Sequence, residues 1–128
     1  MKIMTDTNIL FSALLFPDSR PAQALFRILD FHELYLCDYI ISELQRVVSR
    51  KRPDLLPDID VLFSKLSYEL VAAQPESKKI ISDPKDHSIL NAAISAGVDI
   101  IISGDSHFLN LKLEHPKTIS VAEFLDNE

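Results

Sequence analysis

An α/β sandwich around a central parallel sheet is the fold this sequence predicts, and three observations predict it. Short segments at residues 2–5, 34–37 and 99–102 are mostly apolar without alternation, the pattern of strands covered on both faces. They alternate with longer segments whose apolar residues recur at helical spacing. Acids follow the carboxyl ends of the first and fourth strand segments, Asp6 directly and Asp105 after Ser103-Gly104, and ligands of open α/β sheets bind outside the carboxyl ends of strands.

Along the chain, the strand at 2–5 hands over at Asp6 to a helix over 8–16. Asp6 or Thr7 is its N-cap, because a short side-chain oxygen there accepts a bond from an orphan amide. A second helix covers 20–31, with Ala24, Leu25, Ile28 and Leu29 as its apolar residues. The strand at 34–37 ends on Cys37. In the helix over 39–50, Ile40, Ile41, Leu44, Val47 and Val48 form one apolar face, and Glu43 lies on its edge. An edge glutamate can also simply snorkel beside Arg46 or Arg50.

Residues 54–67 read as a helix or helical pair and 69–73 as a strand. The helix over 84–96 is the best punctuated: Asp83 caps it, Pro84 fits its first turn and Gly97 stops it. Asp86 precedes Ile89, Leu90 and Ala93 by helical intervals, so it belongs to the stripe that faces the sheet. An acid there needs a partner or a reason, unless it serves a capping-box-like helix start. The strand at 99–102 runs into Ser103-Gly104-Asp105 and a short element at Phe108-Leu109. A strand at 117–119 and a helix over 121–125 follow, the helix opening with the capping box Ser120 to Glu123.

With 128 residues and 47% hydrophobic content, the chain suits one compact domain over 1–128 with a core that needs no staples. The single cysteine forms no intrachain disulfide and sits in an apolar strand, which favours a reducing, cytoplasmic location. No stretch approaches membrane-spanning length, and the first apolar run is too short for a signal peptide. The net charge of -6 argues against broad affinity for nucleic acid. Part of that charge, however, is the acid set itself. Arg46, Arg50, Lys51 and Arg52 gather at the end of the helix that carries Glu43, either as favourable charge at a helix C-terminus or to hold a substrate's phosphates.

Asp6-Thr7-Asn8, Ser42-Glu43-Leu44, Asp83-Pro84-Lys85-Asp86 and Ile102-Ser103-Gly104-Asp105, in this order over nearly the whole chain, resemble the PIN-domain nucleases. The pattern is most similar to the bacterial and archaeal branch of VapC-type toxins of toxin-antitoxin modules. The resemblance implies a three-layer α/β/α sandwich and a Mg2+ or Mn2+ site built from Asp6, Glu43, Asp86 and Asp105. Asn8, Asp83 and Ser103 would support it. It further implies hydrolysis of RNA, a small antitoxin protein covering the acidic cleft, and a homodimer. Ser103 stands where the family often has Thr, and His87 beside Asp86 takes no role.

The residue types suit that chemistry independently, since Mg2+ and Mn2+ prefer hard oxygen donors and Mg2+ keeps several waters. Asp6 and Asp105 are then the main ligands, Asp86 a direct or water-mediated one, and Glu43 a ligand or the group that orients the attacking water. Four converging carboxylates repel each other without a cation, so Mn2+ should stabilise the fold. The alternative is a non-catalytic PIN-like module that binds RNA or protein, which an incomplete acid set would favour. A receiver-like phosphoacceptor needs a Lys after the last strand, where this chain has Ser120-Val121. Phosphatases of the Asp-x-Asp type need an acid where Asn8 stands.

Overall fold

Five short strands, β1 (Lys2–Thr5), β2 (Glu33–Cys37), β3 (Tyr68–Val71), β4 (Ile100–Ile102) and β5 (Lys117–Ile119), pair in parallel in the order β3-β2-β1-β4-β5. This computed structural model describes residues 1–72, 84–110 and 113–127, and of residues 84–88 and 107 only the backbone. The central strands are buried as their sequence demands: Ile3, Met4, Leu34, Leu36, Ile101 and Ile102 are all shielded from water. The register aligns Ile3 with Leu34 on one side and Ile100 on the other, and closes with Thr5 opposite Ile102. Thus β1 and β4 end together.

The helices are α1 (Thr7–Leu15), α2 (Arg20–Phe31), α3 (Asp38–Lys51), α4 (Leu56–Lys65), α5 (Pro84–Ala96), α6 (Ser106–Leu109) and α7 (Val121–Asp126), with a 3₁₀ turn Pro53–Leu55 before α4. The chain steps from β1 outward to β3, then returns through β4 to β5. Crossovers of the usual right hand therefore put α1 to α4 on one face of the sheet and α5 on the other. The result is a three-layer α/β/α sandwich. On the first face α1 packs on α2 and α3, and α2 on α7. The reversal of direction falls between β1 and β4, which is where such sheets open a crevice at their carboxyl ends.

Local signals explain most element boundaries. Ser19 caps α2 through the Ala22 amide, Ser120 and Glu123 form the expected capping box, and Gly97 leaves α5 at φ +70, where a side chain would be strained. Residues 54–67 resolve into the helical pair. The third strand starts at Tyr68 and stops at Val71, shorter than its sequence suggests, because β3 is an edge strand with Glu69 and Leu70 exposed. Ala24, Leu25 and Ile28 of α2 are fully inside the core and Leu29 packs against it, while Phe26 and Phe31 remain exposed. Among the described residues no helix is long and apolar enough to cross a membrane.

Candidate functional site

Asp6 occupies the turn from β1 into α1 and is 5% exposed. It serves as the N-cap: its Oδ1 accepts from the Ile9 amide at 3.1 Å, while its own amide donates to the Ile102 carbonyl at 3.3 Å. That second bond ties the turn to the end of β4. The other carboxylate oxygen, Oδ2, accepts from the Ser103 hydroxyl at 2.5 Å. Ser103 is fully buried, and its oxygen in turn accepts from the Asp105 amide at 2.9 Å. One hydroxyl thus joins the two acid-bearing turns. Asp105 then starts α6, its carbonyl accepting from Phe108 and Leu109.

The electrostatics of this corner are unfavourable for an unaccompanied anion. Burial pushes the Asp6 carboxyl above its ordinary value of 3.8, and the neighbouring charge of Asp105 adds to that push. Donation from Ser103, Ile9 and Gly104 opposes it without cancelling it. Two hydroxyl oxygens flanking Asp6, Thr5 Oγ1 and Thr7 Oγ1, are buried with no hydrogen-bond partner among the described residues. A buried polar atom left unpaired costs about 1–3 kcal/mol. The sheet end therefore stores acid and unmet hydrogen-bonding capacity at one place.

Asp6, Thr7, Asn8, Glu43, Ile89, Asp105 and Phe108 line one cleft of about 30 Å³, room for a water or a small ion. Glu43 reaches it from α3. Asp86 lies on α5, three residues before the lining residue Ile89, but its side chain, like that of His87, and the whole of Asp83 lie outside the described residues. Among the described residues no three His, Cys, Asp or Glu side chains are close enough to share one ion. A hydrated hard cation does not require that, because Mg2+ is commonly held by one or two carboxylates and otherwise by water. The all-oxygen donors and the orphaned Thr7 hydroxyl in the same cleft fit such an ion.

A second, wider groove of about 390 Å³ adjoins the cleft and shares Asn8 and Glu43 with it; Arg46, Val47, Arg50 and Lys51 complete its lining. Arg52 is placed differently. Its guanidinium holds Asp54 through two contacts, at 2.9 and 3.1 Å, and it does not line the groove. The basic run at the end of α3 is thus divided by a local pair formed where the chain turns after the helix. Cys37 contributes nothing reactive, since burial raises its thiol above the ordinary value of 9.0.

A family model for the PIN domain matches residues 2–107, the segment that contains all four acids. The chain belongs to the PIN-domain family. No curated protein matches its sequence. Among solved structures, this PIN domain is similar to the crystal structure of VapBC2 from Rickettsia felis bound to a DNA fragment from their promoter. The TM-score is 0.71 at 17% identity, over 94% of this chain and 98% of that one. That likeness establishes the fold. In the PIN domain, residues without a recognisable sequence signal also shape the site: Thr5 and Thr7 as orphaned hydroxyls, Ile89 and Phe108 as walls. Tyr39 beneath Arg46 was legible only as a spacing of seven along α3.

Proposed function

We propose that this PIN domain, acting as one unit over residues 1–128, is a Mg2+- or Mn2+-dependent endoribonuclease, the toxin of a toxin-antitoxin module. The observation that carries the reading is the junction of an acidic, ion-sized cleft with a basic groove, both bordered by Asn8 and Glu43. Phosphate binds along the groove, and the scissile bond is presented to the acids. A bound cation supplies neutralisation of the phosphate and an acidified water.

The chain's own residues do the rest. Asp6 and Asp105 hold the cation, and Ser103 keeps Asp6 in one orientation while fixing the Asp105 turn. Glu43 is a further ligand or orients the attacking water. Asp86, on the stripe of α5 that includes Ile89, is assigned as a direct or water-mediated ligand, with Asn8 and Asp83 in support. Arg46, Arg50 and Lys51 neutralise the phosphates flanking the cut, and Arg52 can join them only by leaving Asp54.

The likeness to VapBC2 supports an antitoxin partner for this chain, and the homodimer follows from the family resemblance alone. A buried, unreactive Cys37 suits a reducing cytoplasm. The test is cleavage of labelled single-stranded and structured RNAs by the purified protein in Mn2+ or Mg2+, with EDTA and Asp6→Asn controls. Cleavage abolished in both controls is the expected result. Failure to cleave any RNA, together with failure to bind Mn2+, would replace this reading with a non-catalytic module that binds RNA or protein.

A further inference from the structure

The cleft and the groove are both bordered by α3, and one side chain on that helix touches both charge systems. Tyr39, Glu43 and Arg46 stand at i, i+4 and i+7, which places them on one stripe of the helix. Tyr39 is half-buried and packs against the hydrophobic core, so its ring has a fixed seat. Its hydroxyl donates to Glu43 Oε2 across 3.5 Å, and the Arg46 guanidinium lies over its ring, 5.5 Å from the centroid. The hydroxyl contact is long for an O–H···O bond. Contacts of this kind commonly tighten only when the ligand arrives.

We infer that Tyr39 is a positioning residue that sets both the carboxylate of Glu43 at the cleft and the guanidinium of Arg46 at the groove. The role rests on the metal-dependent nuclease reading of the site. Glutamate and arginine side chains lose much rotamer freedom when they are ordered against a ligand. A ring seated in the core, carrying a hydroxyl for one and a π face for the other, orders both before substrate binds. The two parts of Tyr39 have separable duties. The hydroxyl serves the cation site, and the ring serves the phosphate clamp.

Three proteins test this: wild type, Tyr39→Phe, which keeps the ring, and Tyr39→Leu, which keeps neither part. Mn2+ binding is read by electron spin resonance of the free ion, and binding of a fluorescein-labelled single-stranded RNA is read by anisotropy in EDTA. Thermal melts check folding. Tyr39→Phe is expected to weaken Mn2+ binding by about 3- to 10-fold and to leave RNA affinity within about twofold, whereas Tyr39→Leu weakens both by about threefold or more. Wild-type Mn2+ binding by Tyr39→Phe, or wild-type RNA affinity in folded Tyr39→Leu, would overturn the assignment of Tyr39 alone. A wild-type protein that binds no Mn2+ would overturn the reading of the site as well. If Tyr39→Leu does not fold, Tyr39→Phe still decides the hydroxyl's part.

Discussion

Two aspartates mark opposite ends of the same pair of central strands, and the structure treats them in opposite ways. Asp99, just before β4, accepts the Lys2 amide at 2.9 Å, donates its own amide to the Lys2 carbonyl, and accepts the Lys117 amide at its carbonyl. It thereby fastens β1, β4 and β5 at their starts. Its carboxylate is 39% exposed and faces His115 at 4.0 Å, so water and a partner both solvate its charge. Asp6, at the other end, is buried, lies in the field of Asp105, and has orphaned Thr5 and Thr7 hydroxyls on either side. One end of the sheet is arranged for cohesion. The other accepts a cost in stability that a bound cation would offset.

The sharpest break in that comparison is a pair of substitutions. Asp6→Asn keeps a competent N-cap for α1 but is expected to lower RNA cleavage by on the order of 10²-fold or more. Asp99→Ala is expected to leave cleavage near wild type and to cost about 1 kcal/mol, roughly 4 °C of melting temperature. If both changed activity alike, the division between the two ends would be wrong. In EDTA the stability cost at the Asp6 end should also depend on pH. Because the Asp6 carboxyl is raised, the folded state favours its protonated form; that contribution is present below 3.8 and is lost as pH rises through the raised value. Metal-free Asp6→Asn should therefore melt above wild type at neutral pH, with the gap closing on acidification.

A cation should reverse this penalty. At a concentration about 100 times its dissociation constant, Mn2+ stabilises the fold by about 2.7 kcal/mol, and the rise in melting temperature should vanish in Asp6→Asn. Indifference of the wild-type melt to millimolar Mn2+ would count against the cation site. Ser103 offers a finer probe, since its hydroxyl is the link between the two acid turns. Ser103→Ala is expected to lower kcat by about tenfold, and Ser103→Thr to retain most of it by keeping the hydroxyl.

The smallest expected effect separates neighbours on α3. Arg50→Ala should weaken RNA binding by about 3- to 10-fold and flatten its salt dependence, while Arg52→Ala should change affinity by less than about twofold. Arg52 is already committed to Asp54, with which it makes both of its contacts. An Arg52→Ala variant as impaired as Arg50→Ala would show that the exchange with Asp54 occurs during binding.

Much of this molecule was legible in residue order because its signals are local. Continuous apolar strands, Asp6 and Ser120 as caps, and Gly97 as a stop act within a turn or two of the chain, and the elements follow them closely. Asp6, Glu43 and Asp105, though far apart in sequence, could be singled out because each sits where a strand or an apolar helix face makes a charged group conspicuous, whereas Ser103 was marked only by the family resemblance. Strand length at the edge was less legible: β3 is trimmed by exposure, and nothing local to residues 69–73 states which strand will lie outermost.

Residue order thus determined the alternation of elements, their caps and the identity of the acids, all properties of neighbours along the chain. Only the tertiary structure decided that β1 and β4 lie side by side at the reversal of the sheet, and that brings Ser103 onto Asp6. It also decided that Arg46, Arg50 and Lys51 of α3 share a groove with Asn8 of α1. Those choices depend on strand order, on crossover hand and on which side chains meet across folded elements. No short stretch of sequence encodes them.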